Sequence, residues 1–248
     1  MEVMQKPQRL GLLAGIFLAA GLVMASMVVT RTWLRIAEGQ TVSVTGLARR
    51  AIQSDLIVWR GTFATESETL LRAQEVLKEQ AGQVSAFLKA HGLTNYLMAP
   101  IGISEIYARQ RQNDNEEASS QKVVGYRLSQ TVEVRSPEVD RVLRVMRQTS
   151  TLVEQGIAFV SAQPEFIYTR AGEAKVEMLA EAIQDAKARA EQIVGPGGRK
   201  LGPLRSARMG VFQITPAYST ATSWEGINDT TSQEKTMSAT VTATFSME

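Results

Sequence analysis

Residues 55–90 read DLIVWRGTFATESETLLRAQEVLKEQAGQVSAFLKA, and the change of rhythm inside them sets the fold class. Asp55 to Thr65 is rich in β-branched and aromatic residues, the composition of a half-buried strand. From about Ser67 to Ala90 the pattern changes. Leu70, Ala73, Leu77, Ala81, Val84 and Leu88 recur every three to four residues, which predicts a helix with one apolar face. Gly92 then supplies a natural stop. A strand running into an amphipathic helix that must cover something is the unit of an α+β protein.

The same unit recurs further along. After the first helix, Met98 to Ala108 and Val123 to Val134 read as strands on either side of a polar segment, Arg109 to Lys122. Ser136-Pro137-Glu138 opens a short helix with Val139, Val142, Leu143 and Met146 on its apolar face. A second copy follows: strand 157–166, helix 173–194, strand 204–214, a polar excursion, and strand 235–246. Val176, Leu179, Ile183, Ala186, Ala190 and Ile193 form the expected inner face of that helix, and Gly195-Pro-Gly-Gly198 ends it. The expectation is two related strand-helix-strand-strand halves, their helices packed on mostly antiparallel sheet. Thr41-Val-Ser-Val-Thr45 reads as a preceding strand whose clean alternation ends at Gly46.

Ahead of all this lies an uncharged run of twenty residues, Leu10–Val29. As a helix it spans about 30 Å, the thickness of a bilayer's hydrocarbon core. Residues 1–9 then form a short cytoplasmic tail, 10–29 a transmembrane anchor, 30–40 a membrane-proximal linker, and 41–248 the folded portion. Arg31, Trp33 and Arg35 stand where interfacial residues belong. The alternative is a cleaved signal with its site at Val23-Met24-Ala25, leaving a chain that starts at Ser26. The run continues to full spanning length past that site, which favours the anchor. Counting arginines beyond the span would place the domain in the cytoplasm. The short basic head before the run has export-signal form and favours the opposite side, the periplasm.

Lys plus Arg number 27 against 25 Asp plus Glu, interspersed along the chain, so there is no electrostatic footprint for nucleic acid. The absence of cysteine excludes disulfides and thiolate chemistry. His91 is the only histidine and ends a predicted helix, where it suits the helix dipole. A Ser-His-Asp triad would need it as base, and no G-x-S-x-G turn accompanies any serine. Asp114, Glu116 and Glu117 in QRQNDNEEASSQ lack the spacing of a calcium loop and read as a solvated segment. Asn228-Asp229-Thr230 is a glycosylation sequon by pattern. Trp59 and Phe63 share a strand face and belong to the core. Trp224 stands in a polar loop near Tyr218, either as an anchor for a protein contact or tucked under its own loop.

Three stretches carry a family resemblance. TVSVTGLARRAIQSDLIVWRGTFATES (41–67) resembles the opening of the SIMPL domain, with Gln53-Ser54-Asp55 where the family has a proline-aspartate. DAKARAEQIVGPGGRKLGPL (185–204) resembles its later helix and Gly-containing turn, and MSATVTATFSM (237–247) its last strand. The resemblance covers about residues 40–248. It implies an exported or membrane-tethered bacterial protein of poorly defined role, with links to stress tolerance. It also implies large ring- or channel-like homo-oligomers in at least some members, and no catalytic motif.

These lines converge on a non-enzymatic, single-pass inner-membrane protein with its C-terminal domain in the periplasm. Its expected partner is itself, in a large homo-oligomer with a stress-related envelope role and Trp224 as candidate contact. No catalytic, metal or cofactor residue is expected, and no small-molecule substrate is identified. The alternative is a monomeric or dimeric periplasmic binding module for an envelope ligand or unfolded client.

Overall fold

The computed structural model describes residues 6–37, 40–108 and 122–248. Asp114, Glu116 and Glu117 therefore lie outside the described residues. Helix α1, Lys6–Ala37, is one continuous helix of 32 residues, so the helix extends through much of the expected linker. At 1.5 Å per residue it is about 48 Å long. Its segment Gly15–Trp33 is apolar, long enough to cross a membrane, and not buried by the protein. The hydroxyls of Ser26 and Thr32 donate back to the carbonyls of Val23 and Val28, at 2.9 Å each, so they present no unsatisfied donor to an apolar medium.

Beyond α1 come β1 (Thr41–Gln53), β2 (Leu56–Ser67), α2 (Leu70–Ala90), β3 (Tyr96–Met98), β4 (Gly102–Tyr107) and β5 (Val123–Ser136). These lead to α3 (Val139–Arg147), α4 (Ser150–Glu154), β6 (Ala158–Ser161), β7 (Glu165–Ile167) and α5 (Ala171–Val194). A short 3₁₀ turn then precedes β8 (Leu201–Met209), β9 (Gln213–Pro216) and β10 (Glu234–Met247). The architecture is α+β, with antiparallel strand pairs and amphipathic helices. The chain divides into two compact units, one of Arg49–Met178 with Val211–Ser238, the other of Leu179–Gly210, Ala239–Glu248 and the chain up to Ala48.

In the first unit β2 and β5 pair along eleven residues, from Ile57 opposite Ser136 to Ser67 opposite Tyr126. Each of their outer edges is completed by two short strands in line: β3 and β4 on β5, β6 and β7 on β2. Single strands were expected at 98–108 and 157–166. Pro100 and Pro164 lie in the breaks, where a residue without an N–H cannot continue a ladder. The second expected copy therefore does not open its own sheet, because its first strand adds to β2. Trp59, Phe63, Leu77, Val84, Leu88 and Val132 are wholly buried in one cluster, as the periodicities of β2 and α2 required. Thr69 caps α2, its hydroxyl accepting from the Arg72 N–H. His91 forms the other cap, with its own N–H on the Phe87 and Leu88 carbonyls.

In the second unit β10 pairs with β8 from Val241 to Met247, and α5 covers this part of the sheet through small residues. Val44, Ala186, Ala190, Ala243 and Phe245 form its core. β1 does not lose its alternation at Gly46; it continues to Gln53. A Cβ on Gly46 would collide with the Ala182 carbonyl and the Ala186 backbone, so glycine there lets strand and helix touch. That contact also corrects the reading of α5. Its buried stripe is Ala174, Met178, Ala182, Ala186, Ala190 and Val194, while Val176 and Ile193 face solvent. The space against Gly46 and Ala243 admits alanine and excludes larger side chains.

Candidate functional site

The first unit carries a cleft of about 460 Å³ between β7, the start of α5, β9 and the segment 225–230. Phe166, Tyr168, Phe212 and Ile214 supply its apolar and aromatic lining, and Lys175, Glu225, Asp229 and Lys235 its charges. Lys235 occupies an inward position in the alternation of β10, which continues through Met237, Ala239, Val241 and Ala243. A strand period of two thus forces an ammonium group into the interior.

The group is satisfied there. Nζ donates to the Phe166 carbonyl at 2.7 Å and to the Asp229 carbonyl, with the Asp229 carboxylate 4.0 Å away. Lys235 thereby ties β7 to the loop ahead of β10, beside the backbone bond from Phe166 N–H to the Thr230 carbonyl. Burial pushes the Lys235 pKa down, and the charge of Asp229 opposes that. For Asp229 burial is the largest single influence and acts upward. Hydrogen bonds from Thr231 and Ser232, with the charge of Lys235, outweigh it and hold the carboxyl below its ordinary range.

Beside the cleft stands the turn that carries Trp224. One buried side chain holds it from both ends. The Gln213 amide donates from Nε2 to the Ser223 carbonyl at 2.5 Å, and its Oε1 accepts from the Ile227 N–H at 2.8 Å. The backbone adds Ile214 N–H to the Ile227 carbonyl and Asp229 N–H to the Ile214 carbonyl. Gly226 has φ +95°, and a Cβ there would press on Val211 and the Phe212 carbonyl, so the turn requires glycine. The result is an ordered turn with Trp224 at its tip, 82% exposed. The indole is not tucked under its own loop. Tyr218, at φ +64°, is 97% exposed on the same connection.

Glu225 and Gly226 line the cleft directly after Trp224, so the turn that carries the exposed indole borders it. Within the same lining the Lys175 ammonium lies 5.6 Å from the centre of the Phe212 ring. Sequence reading found Trp224 and missed Gln213, Lys175 and Lys235. For Lys235 a signal existed, since the alternation KTMSATVTATF places lysine on the inner face. For Gln213 none did, because a clasp across ten residues of loop leaves no local pattern.

The other expected positions fall as follows. Arg31 and Trp33 are exposed on α1, and Arg35 lies in the same helix. The His91 Nδ1 sits 2.8 Å from the Phe87 carbonyl, with its ring against Phe87. Trp59 is fully buried, with Nε1 donating to the Ser161 hydroxyl at 2.9 Å. Asn228 is exposed at the cleft and bridges to Ile214. Among the described residues no three histidine or carboxylate groups cluster as metal ligands do.

The family model for SIMPL, described as a protein of unknown function (DUF541), matches residues 42–245. None of the curated proteins matches the chain.

Proposed function

The chain belongs to the SIMPL family, and from that premise we propose a non-enzymatic, membrane-anchored protein that assembles with its own copies. In this reading α1 stays in the inner membrane, with Arg31, Trp33 and Arg35 at the interface. The folded part stands in the periplasm as a large homo-oligomer, a ring being one form it can take, with a stress-related role in the envelope. The observation that carries the reading is the indole of Trp224, 82% exposed on a turn clasped by Gln213. Exposed aromatics on ordered loops are the usual anchors of protein contacts. Tethering to one plane raises the effective concentration of copies, so a modest contact suffices. Of the charged groups at the cleft, Lys235 and Asp229 are engaged in holding the fold.

Particle mass of the full-length protein in mild detergent tests this, with many subunits expected. A particle of one chain would overturn it. The cleft itself favours a second reading, a monomeric or dimeric binding module for an envelope ligand, and a single-chain particle would promote that reading instead.

A further inference from the structure

Helix α1 and strand β1 are joined by three residues, Glu38, Gly39 and Gln40. Three residues reach about 11 Å when fully extended, so covalent length alone holds Gln40 within that distance of Ala37. Trp33 closes the apolar stretch of α1, and Ala37 stands four residues further on, about 6 Å along the helix axis. The polar layer on each side of a bilayer's hydrocarbon core is about 5–8 Å deep. With α1 across a membrane, the end of the sheet at Gln40 is therefore kept at the headgroups.

Backbone bonds show which residues share that end of the second unit. The Met247 N–H donates to the Gln40 carbonyl at 2.9 Å, and Lys200 and Glu248 exchange both of their backbone bonds at 2.9 Å. The strand order is β1, β10, β8, with neighbours about 4.8 Å apart, so Lys200 stands about 10 Å across the sheet from Gln40. Arg199 and Lys200 are exposed where the turn after α5 enters β8, and neither forms an ion pair among the described residues. Of the acids close to them in the fold, Glu191 is paired with Lys187 at 3.9 Å, which leaves Glu248. In the chain alongside, Arg35 and Glu38 balance in charge. Ile193 at the end of α5 is 60% exposed, and Pro196 in the turn is exposed too. Unpaired bases beside exposed apolar side chains suit a lipid–water interface. We propose that this end of the unit, through Ile193, Pro196, Arg199 and Lys200, docks on the bilayer and binds anionic lipid headgroups. The proposal rests on the membrane anchor proposed above. The tether raises the effective concentration of the surface, so a contact too weak to recruit a free protein is populated here. It gives the folded part a second point of attachment and restricts its tilt on the membrane.

The chain has no cysteine, so one polarity-sensitive dye can be placed on the turn of the full-length protein through Gly197→Cys, where a Cβ meets nothing. The protein is reconstituted into vesicles of phosphatidylcholine alone and of phosphatidylcholine mixed with phosphatidylglycerol. In the mixed vesicles the dye should report an apolar setting, and less of it in the neutral vesicles or at high salt. Arg199→Gln and Lys200→Gln should each lower the ratio of docked to undocked dye about fivefold. Placed instead through Met209→Cys, at the other end of β8, the dye should not respond to phosphatidylglycerol. A dye at position 197 indifferent to phosphatidylglycerol and to both glutamine variants, on protein that stays with the vesicles through a carbonate wash, overturns the docking and leaves the anchor standing. An equal response at position 209 also overturns it, because the headgroups then meet the whole strand and not its tethered end. Loss of the protein in the carbonate wash overturns the anchor, and the docking with it.

Discussion

Trp59 and Trp224 are the same residue placed in two regions of one unit under opposite rules. Trp59 sits on β2 with no exposed surface, its indole N–H on Ser161 and its ring 6.1 Å from that of Phe159. Trp224 sits on a turn with 82% of its surface open, and the turn is held by Gln213. In the first region rigidity comes from apolar packing on every side. In the second it comes from hydrogen bonds to one buried amide, which leaves the ring free. Where an aromatic stays exposed, polar clasps take the place of packing, and Gln213 and Lys235 are those clasps.

The comparison can be broken by substitution. Trp59→Ala should cost about 4 kcal/mol of unfolding free energy, the range for a large buried aromatic. A loss under about 1 kcal/mol in denaturant titration would mean that β2 does not organise the core. Lys235→Ala should cost about 3 kcal/mol, because it strands the Phe166 and Asp229 carbonyls and removes the countercharge of the Asp229 carboxylate. The same titration reads it, and an unchanged midpoint would remove Lys235 from the clasp. Gln213→Ala should cost about 2 kcal/mol and loosen the Trp224 turn. Hydrogen exchange at the Ile227 amide should rise far more than at Val132, and equal changes would place the effect in the core.

A smaller effect is readable through acid. The Asp229 carboxyl is held below its ordinary range in the folded state, so the unfolded chain binds that proton more tightly. Its stabilisation is therefore complete above the unfolded carboxylate value of about 3.9 and is lost as pH falls through the lower folded value. Asp229→Asn should flatten that acid limb. Matching slopes for the variant and the parent would show that Asp229 is not linked to folding. The smallest effect belongs to Trp224→Ala, which should leave stability within about 0.5 kcal/mol. A large loss would mean that the ring supports its own loop after all, and the contrast with Trp59 would collapse.

Helices α2 and α5 show where the fold was legible. In α2 the apolar spacing named four residues that are buried: Ala73, Leu77, Val84 and Leu88. In α5 the same method favoured Val176 and Ile193, which are exposed, over Ala174, Ala182 and Met178, which are buried. The method weighs a residue by its hydrophobicity, whereas a helix lying against Gly46 and Ala243 selects by size. The sites divide in the same way. Trp224 stood out as a large aromatic in a polar stretch. Its exposure, and the clasp that maintains it, depend on Gln213 reaching Ser223 and Ile227 across a folded loop.

The apolar helix near the N-terminus, the α+β class, the core of β2 and α2, and the family were all legible in the order of the residues. Each of these rests on periodicity or local composition, which a chain carries wherever it folds. Tertiary structure alone decided that 158–167 pairs with β2, that alanine faces the sheet from α5, and that Lys235 is buried between two carbonyls. It also decided that the turn carrying Trp224 borders a cleft. These features depend on which distant segments meet, and the space and hydrogen-bond partners they leave exist only once they have met.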